Sequence, residues 1–320
     1  MDTLSRRGFM SSTAEFSGTL ALGAALASTL SASPASAEEK PGKGMKVGML
    51  TAPYGGEPFE TAADVAQKAG IACMEVVATP GSKHFDLNGF DAKRADEVKA
   101  VLAARNLQIS SLSNYSNSIE PGKAEEVLAV AKQLIDAASL LGVDTVCMIT
   151  GYPENGKSKI STIKEVVPKV FRPIIDYAKG KGVRIALENY FQTCLQGIDT
   201  FDCLFETIQD ENFGLNYDPS HLFHQQCNHL LPVTRYAKRI FHTHAKDTLV
   251  DAEKRAYVGV YGKGWWRYVL PGQGNINWGE YISHLRENGY LGVMSIEHED
   301  ETFTKEDGFI HAARYLNQFC

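Results

Sequence analysis

Residues 124–150, AEEVLAVAKQLIDAASLLGVDTVCMIT, contain the unit that decides the fold. From Ala124 to Leu141, apolar side chains recur at spacings of three and four, which is the pattern of an amphipathic helix. Gly142 follows at the position where a glycine commonly ends a helix. Thr145–Thr150 is then a short, mostly apolar run, typical of a strand buried on both faces of a parallel sheet. The segment therefore predicts a helix followed by a buried parallel strand.

The same alternation of helix and strand patterns continues along the chain. Other amphipathic stretches lie at Ala92–Arg105, Ile163–Lys179 and Trp278–Gly289. Short apolar runs predict eight strands, at Lys46–Leu50, Cys73–Ala78, Gln108–Asn114, Thr145–Thr150, Arg184–Glu188, Gly214–Asp218, Ile240–His244 and Gly292–Glu297. An open dinucleotide-binding sheet is disfavoured because residues 51–56, TAPYGG, lack its GxGxxG turn. Eight strand–helix units without a break in composition favour a single (β/α)₈ TIM barrel over residues 45–320.

Composition limits the classes of protein to consider. The chain has 320 residues, of which 44% are hydrophobic and 22% are charged, and its formal net charge is -6. These values are ordinary for a globular protein with a large core. The acidic balance gives no support for a nucleic-acid partner, which usually requires a basic face. A small-molecule partner suits the composition better, and a homo-oligomer stays open.

The first 37 residues predict an export signal. Arg6-Arg7 followed by Gly8-Phe9-Met10 resembles the twin-arginine signal, and Ala35-x-Ala37 suits cleavage by a signal peptidase. The stretch between them is short and rich in Gly, Ser and Thr, whereas a membrane span needs about 20 strongly apolar residues. We therefore expect a signal peptide at 1–37, a linker at 38–44, a periplasmic location and no membrane span in the mature protein. None of the six cysteines forms a CxxC pair, so we predict no disulfide.

Four predicted strands end in residues that can bind a metal ion. The fifth strand ends in Glu188, the sixth in Asp218 and the eighth in Glu297. The seventh ends in His242-Thr243-His244, whose two histidines share one face of the strand. In a TIM barrel the groups at the C-terminal ends of the strands meet at one rim. Carboxylates with one imidazole form a mostly oxygen site, which favours Mn²⁺ or Mg²⁺ and leaves Zn²⁺ and Co²⁺ open.

The same strand ends carry a family resemblance. The chain resembles the xylose-isomerase-like sugar phosphate isomerase/epimerase family over essentially all of residues 45–320. The motifs concerned are ALEN at 186–189, DPSH at 218–221, HTHAKD at 242–247, LPGQGNINW at 270–278 and SIEHE at 295–299. The resemblance implies four metal ligands, Glu188, Asp218, His244 and Glu297, with His221 in contact with substrate. Relatives include ketose 3-epimerases, hydroxypyruvate isomerases, and 3-keto-glycoside epimerases and lyases.

The chemistry of such a site can be argued independently of the family. A proton on carbon beside a carbonyl is too weakly acidic for a free carboxylate to remove. A cation at the carbonyl oxygen stabilises the enediolate that forms, and two carboxylates can take a proton from one face and return it to the other. Glu188 and Glu297 come from strands three apart and are the predicted acid–base pair. We therefore expect a metal-dependent isomerase or epimerase acting on an unphosphorylated sugar or keto-glycoside.

Five residues are predicted to contact substrate at the barrel mouth. They are His221, Lys246, His84, Asn114 and Trp266, the last within GWWRY at 264–268. Aromatic rings on such a loop can stack on a sugar face and exclude water. Residues 151–158, GYPENGKS, match the P-loop pattern, but they follow a barrel strand and no clear helix begins at Lys157, so we predict no nucleotide site.

Three alternative functions are compatible with a barrel of this kind. A lyase would use the same proton abstraction on a 3-keto-glycoside and then expel the group at C1 by β-elimination. A phosphodiesterase similar to endonuclease IV would need three zinc ions and several more histidines, of which only His84 is near. A sugar-binding protein without turnover would have no need of a paired acid and base. The lyase is the nearest rival of the isomerase or epimerase.

Overall fold

The computed structural model describes residues 44–320, so the predicted signal peptide and most of the linker lie outside the described residues. Within this range eight parallel strands form a closed barrel, which confirms the predicted fold. The barrel strands are β1 (Lys46–Leu50), β2 (Cys73–Val77), β3 (Gln108–Asn117), β4 (Thr145–Ile149), β5 (Arg184–Glu188), β6 (Phe213–Tyr217), β7 (Ile240–Ala245) and β10 (Val293–Ile296). Two further strands, β8 (Asp247–Val250) and β9 (Trp266–Val269), form an antiparallel hairpin outside the barrel.

Neighbouring strands follow chain order around the barrel. Strand β10 closes the ring by pairing with β1 on one side and β7 on the other. Strands β5, β6, β7 and β10 are therefore consecutive neighbours, and their C-terminal ends lie along one half of the rim. Every predicted strand is present, and its ends differ from the prediction by three residues at most.

Helices surround the barrel and cover its outer face. Over residues 44–320 they are α1 (Phe59–Lys68), α2 (Ala92–Ala103), α3 (Ala124–Leu141), α4 (Lys159–Glu165), α5 (Val167–Gly180), α6 (Ile198–Thr207), α7 (Ser220–Phe223), α8 (Leu231–Arg235), α9 (Ala252–Val258), α10 (Trp278–Glu287) and α11 (Lys305–Leu316). Large side chains such as Phe171, Phe201 and Phe213 are fully buried between helices and strands. Burial of an aromatic ring of this size contributes roughly 1.5–3 kcal/mol relative to exposure.

One predicted helix, Ile163–Lys179, is wrong as a single element. The structure divides this stretch between α4 and α5, with a break at Val166. Pro168 explains the break, because proline has no N–H to donate to the carbonyl four residues earlier but is tolerated in the first turn of a new helix. Helix α3, which contains no proline, has the predicted bounds from Ala124 to Leu141, and Gly142 ends it in a left-handed conformation with φ of 74°.

The β8–β9 hairpin is fixed to the barrel by a buried aspartate. Asp247 accepts hydrogen bonds from the backbone N–H of Gly272 (3.0 Å) and Ile276 (3.0 Å) and from the indole of Trp278 (2.8 Å). A side chain at Gly274 would place its Cβ 2.3 Å from Asp247 Oδ1, so only glycine fits there. These contacts hold the LPGQGNINW segment and set the position of the hairpin beside the rim. No helix within residues 44–320 combines the length and apolar character needed to cross a membrane.

Candidate metal centre

Four side chains from the consecutive strand ends converge at the barrel rim. Glu188 ends β5, Asp218 follows β6, His244 lies near the end of β7 and Glu297 follows β10. Each offers one ligand atom, and these atoms all lie within 4.8 Å of one another. The structure thus brings together the four residues that the sequence singled out.

The converging atoms have the properties expected of a cation site. Asp218 Oδ2, His244 Nδ1 and Glu297 Oε2 are buried and face a common centre, and the ammonium of Lys246 lies beside the two carboxylate oxygens. His244 Nδ1 lies 3.0 Å from Glu297 Oε2 and 3.4 Å from Glu188 Oε1. Gathering three carboxylates around one buried point is costly, and a divalent ion bound at their common centre would offset that cost. The donor set of three carboxylates and one imidazole fits such an ion.

Neighbouring polar groups hold Asp218 in its orientation. Its Oδ1 accepts a hydrogen bond from the backbone N–H of Ser220 at 2.7 Å. The side chain of Asn189 bonds both backbone groups of Asp218, each at 2.8 Å, which joins the ends of β5 and β6. Because one carboxylate oxygen is occupied in this way, the other is directed at the cluster.

The two histidines of β7 have different surroundings. His244 Nε2 lies 3.0 Å from Glu75 Oε2, and its Nδ1 faces the cluster. His242 lies deeper in the barrel, with Nδ1 3.0 Å from Asn216 Oδ1 and Nε2 3.1 Å from Ser110 Oγ. Burial lowers the pKa of His242 to about 4, so this imidazole is neutral. The structure therefore places His244, and not His242, among the four converging side chains.

Lys246 is buried at the site rather than solvated at the mouth. Its ammonium lies 2.7 Å from Glu297 Oε2 and 3.3 Å from Asp218 Oδ2. Burial lowers the pKa of Lys246, but these carboxylates outweigh burial and raise the pKa well above its ordinary value. The ring of Tyr268 lies 4.5 Å from the same ammonium, as in a cation–π contact. Lys246 thus carries a fixed positive charge beside the cluster.

His221 connects the cluster to the β8–β9 hairpin. Its Nε2 lies 3.2 Å from Glu188 Oε1, and its Nδ1 lies 2.6 Å from the hydroxyl of Tyr268. The ring is almost completely buried. Because Glu188 only accepts hydrogen bonds when ionised, the arrangement indicates a proton on Nε2 and donation from the Tyr268 hydroxyl to Nδ1.

A cavity of about 250 Å³ opens above the cluster. Of the four converging residues, Glu188 and Glu297 line this cavity, whereas Asp218 and His244 are fully buried beneath it. The remaining lining residues are Leu50, Ala52, Tyr115, Ile149, Tyr152, Tyr190, His221, Lys246, Tyr268 and Glu299. A molecule in the cavity would therefore contact two of the carboxylates directly.

The charge of each acidic group follows from its neighbours. Burial raises the pKa of Glu188, but His244 and His221 outweigh burial and hold the pKa well below its ordinary value. Burial lowers the pKa of His244, yet the surrounding carboxylates raise the pKa well above its ordinary value. Glu299 behaves differently: partial burial raises its pKa to about 7, Lys246 opposes this shift and Glu297 adds to it.

Three of the five predicted substrate contacts, His84, Asn114 and Trp266, do not line the cavity above the cluster. His84 is buried away from the cavity, with Nε2 2.9 Å from Thr51 Oγ1 and Nδ1 3.0 Å from the carbonyl of Glu57. Asn114 donates to the carbonyl of Ala78 at 3.0 Å and lines a separate cavity. Both side chains thus hold loops of the rim in the structure.

Trp266 stacks on His224 rather than lining the cavity. The two ring centroids are 3.9 Å apart and the planes are inclined by 6°. Tyr268, two residues further along β9, supplies the ring that lines the cavity. Trp266 packs at 5.0 Å from Tyr268 between ring centroids and supports it from behind.

The P-loop-like segment has no anion site at its lysine. No helix begins at Lys157 itself, but helix α4 begins two residues later, at Lys159. The ammonium of Lys157, however, lies 2.8 Å from both Glu154 Oε2 and Glu165 Oε2. These two carboxylates occupy the lysine that a nucleotide phosphate would require.

Sequence reasoning missed Glu75 and three tyrosines of the cavity, Tyr115, Tyr152 and Tyr190. Glu75 was detectable, because it is the single charged residue in the apolar strand CMEVV. The tyrosines lie in segments whose geometry the sequence does not determine. Together these residues line the cavity and support its base.

Comparison with known proteins agrees with this geometry. A sequence model of the xylose isomerase-like TIM barrel family matches residues 63–319. The chain belongs to this family. Inosose dehydratase from Serratia proteamaculans is 27% identical over 271 residues, covering 77% of this chain and 88% of the relative.

Two solved structures show the same fold. The IolI protein with a bound zinc atom superposes with a TM-score of 0.68 and 21% identity, covering 86% of this chain and 99% of its own. L-ribulose 3-epimerase superposes with a TM-score of 0.64 and 16% identity, covering 86% and 93%. At these identities the likeness establishes the barrel, while the relatives' sugar chemistry bears on this chain only as a proposal.

Proposed function

We propose that this protein is a metal-dependent isomerase or epimerase that moves a proton on the carbon next to the carbonyl of an unphosphorylated sugar or keto-glycoside. One observation carries the proposal: of the four side chains that converge on one point, the two that reach the cavity are Glu188 and Glu297. The buried pair, Asp218 and His244, would hold the ion. The cavity pair would bind the ion and also act on the substrate.

The metal would be held by Glu188, Asp218, His244 and Glu297. When bound, a divalent ion supplies positive charge that stabilises the negative charge developing on the carbonyl oxygen. The predominance of carboxylate donors favours Mn²⁺, with Mg²⁺, Co²⁺ and Zn²⁺ as alternatives. The zinc in the related IolI structure supports a divalent ion in this family without selecting the metal here.

The protein's own groups account for proton transfer. Glu188 and Glu297 are ionised, because His244 and Lys246 beside them lower their pKa values, so each can accept a proton from carbon. One ionised carboxylate removes the proton, and the other, once it has taken up a proton from water in the open cavity, would return that proton to the opposite face. Lys246, which also lines the cavity, would donate a hydrogen bond to a substrate oxygen, and His221, at the cavity wall, would hold Glu188 in position beside the substrate.

The cavity favours a single sugar ring without phosphate. Its volume of about 250 Å³ is below the roughly 300–1,000 Å³ of sites for larger ligands. Among its lining residues, all from the described part of the chain, Lys246 is the single cationic side chain apart from the histidine, and carboxylates already surround it. A phosphate group would therefore meet negative charge rather than an anion site.

Deuterium exchange tests the proposal directly. Mn²⁺-loaded protein would be incubated in D₂O with a panel of unphosphorylated ketohexoses, an inosose and a 3-keto-glycoside, and the products would be analysed by NMR. We expect deuterium at one carbon next to the carbonyl, and a loss of roughly 10²–10⁴-fold in exchange for Glu188→Gln and Glu297→Gln. Glu301→Gln, an exposed change in the same loop, is the matched control. Full exchange by both cavity variants would overturn the mechanism.

β-Elimination is the second candidate function. It begins with the same proton abstraction, and a related protein is an inosose dehydratase. Lys246 lines the cavity beside the ring of Tyr268 and would donate a hydrogen bond to a departing oxygen. Release of an aglycone from a 3-keto-glycoside, or loss of water from an inosose, would identify this outcome, whereas an epimer of unchanged mass would identify the leading one.

Two other functions fit the site less well. A phosphodiesterase with three zinc ions requires additional histidines near the second strand, and His84 is held by Thr51 and Glu57 instead. A sugar-binding protein without turnover leaves the paired carboxylates in the cavity unexplained. The exchange experiment separates binding from turnover.

We also propose that the protein works in the periplasm after twin-arginine export. The Arg6-Arg7 pair and the cavity's lack of a phosphate site both support this location, since sugar phosphates are largely intracellular. Replacing both arginines by lysine in the full chain should retain the protein in the cytoplasm, as measured by cell fractionation and immunoblotting. Unchanged export would contradict the proposal.

A further inference from the structure

A second polar layer lies directly beneath the candidate metal centre, inside the barrel. Its central residue is Glu75, which lies in the middle of β2 and is completely buried. Glu75 Oε2 lies 3.0 Å from His244 Nε2, and Glu75 Oε1 accepts a hydrogen bond from the hydroxyl of Tyr115. A buried carboxylate is tolerated only when it is paired and hydrogen-bonded, and here both oxygens have partners.

The contact determines which nitrogen of His244 carries a proton. His244 Nε2 also lies 2.9 Å from Asn216 Nδ2 and 3.2 Å from the Tyr115 hydroxyl. The Asn216 amide donates to that hydroxyl at 3.0 Å, and an ionised carboxylate only accepts hydrogen bonds, so the proton on Nε2 is shared with Glu75. Nδ1 is then the nitrogen that gives up its proton, and supplies its lone pair, when a cation binds. This is the nitrogen that converges with Asp218 Oδ2 and Glu297 Oε2. The carboxylate on one side of the ring thus prepares the other side to bind a cation.

A different role for Glu75, as part of a second metal site, has less support. Its carboxylate, Cys147 Sγ and His242 also offer atoms within 4.8 Å of one another. However, both ring nitrogens of His242 already have hydrogen-bond partners, Asn216 Oδ1 at 3.0 Å and Ser110 Oγ at 3.1 Å. The lower layer is therefore a hydrogen-bonded support, whereas the upper cluster gathers three carboxylates and one imidazole around one point.

We infer that Glu75 is a positioning residue for the metal site, acting through His244. It fixes the protonated nitrogen and the orientation of the ring, and its negative charge behind the ring increases the basicity of Nδ1. Tyr115 in turn holds Glu75 and also lines the cavity. The inference rests on the proposed function, because it requires His244 to be a metal ligand.

Cobalt binding tests this role without any measurement of turnover. Metal-free full-length protein would be titrated with Co²⁺, following both the dissociation constant and the visible absorption bands, which report the ligand geometry. We expect Glu75→Gln to weaken Co²⁺ binding by roughly 10–100-fold and to change the bands, because removal of such a partner typically has this effect. Ser113→Ala is the control, since Ser113 is buried in the same barrel interior and its hydroxyl finds no partner within residues 44–320.

Tyr115→Phe keeps the carboxylate but removes one of its hydrogen bonds, and we expect it to weaken binding by about three- to tenfold. Glu75→Gln could retain the wild-type Co²⁺ affinity and absorption bands and lose only thermal stability. That result would overturn the inference about Glu75 but would leave the proposed metal site unaffected. If Glu75→Gln did not fold, wild-type Co²⁺ affinity in Tyr115→Phe would overturn it. If the wild-type chain bound no Co²⁺, the proposed function and the inference would fall together.

Discussion

The coupling between metal binding and protonation of His244 gives the sharpest prediction. Without metal, this imidazole lies 3.0 Å from Glu75, 3.0 Å from Glu297 and 3.4 Å from Glu188. The carboxylates raise the pKa of His244 well above its ordinary value although burial opposes them. The ring is therefore doubly protonated at neutral pH, whereas a metal ligand needs the lone pair of Nδ1. Each metal ion that binds must displace about one proton from His244.

The displaced proton determines how strongly the metal affinity depends on pH. While the pH stays below the raised pKa of His244, metal affinity should increase about tenfold for each pH unit. Between pH 6 and pH 8 the gain is about 100-fold, or roughly 2.7 kcal/mol at 1.36 kcal/mol per unit. A histidine with an ordinary pKa of about 6.5 would give only about a fourfold gain over the same interval. The two cases are easily separated.

Isothermal titration calorimetry with Mn²⁺ at pH 6, 7 and 8 would measure the effect. Repeating each titration in two buffers of different ionisation enthalpy gives the number of protons released. Glu299, whose pKa is raised to about 7, also titrates in this interval, so the series should be repeated with Glu299→Gln. His284→Gln, on the surface helix α10, is the control. An affinity independent of pH, with no proton released in the Glu299→Gln protein, would refute the reasoning.

Three further variants test other parts of the structure. Lys246→Met should lower the Tm of the metal-free protein, because removing one partner of a buried ion pair costs roughly 3–5 kcal/mol. Saturating Mn²⁺ should restore most of the loss in differential scanning fluorimetry, and an unchanged Tm in the metal-free variant would contradict the prediction. Tyr268→Phe removes the 2.6 Å contact to His221 and should lower kcat/KM about fivefold while leaving the Mn²⁺ Kd unchanged, and a changed Kd would argue against a substrate-positioning role. Gly274→Ala should destabilise the fold by roughly 1–3 kcal/mol in urea unfolding, whereas Gly180→Ala, which meets no atom within 4 Å, should not.

The barrel and the four converging residues could be predicted because both follow from local pattern. Each strand is a short apolar run, and in a parallel barrel every strand delivers its last residues to the same rim. The positions of Glu188 and Glu297 at the rim therefore follow once their strands are recognised. The choice of His244 over His242 needed the family resemblance, and the structure gives its physical basis: His242 faces Asn216 and Ser110 in the lower layer.

The cavity wall could not be predicted, because it depends on contacts between segments distant in sequence. The GWWRY segment indicated an aromatic surface, but a strand places Trp266 and Tyr268 on the same face, and only the position of the hairpin decides which ring reaches the cavity. His224, which stacks on Trp266, comes from a separate short segment after α7. Glu75 and His244 are 169 residues apart in the chain and meet only because β2 and β7 face one another across the barrel.

The division of the four residues into a buried pair and a cavity pair limits what the site can select. Asp218 and His244 are buried below the cavity and do not contact a substrate directly, so they do not discriminate between substrates. In the proposed mechanism Glu188 and Glu297 carry out the first proton transfer, which epimerisation, isomerisation and elimination have in common. The outcome then depends on whether a donor lies beside a leaving group, and Lys246, a donor on the cavity wall, lies 4.5 Å from the ring of Tyr268, which limits where its ammonium can move. Changing Tyr268 should therefore alter the ratio of eliminated to epimerised product more than the rate of deuterium exchange. An equal effect on both would mean that this wall only binds substrate.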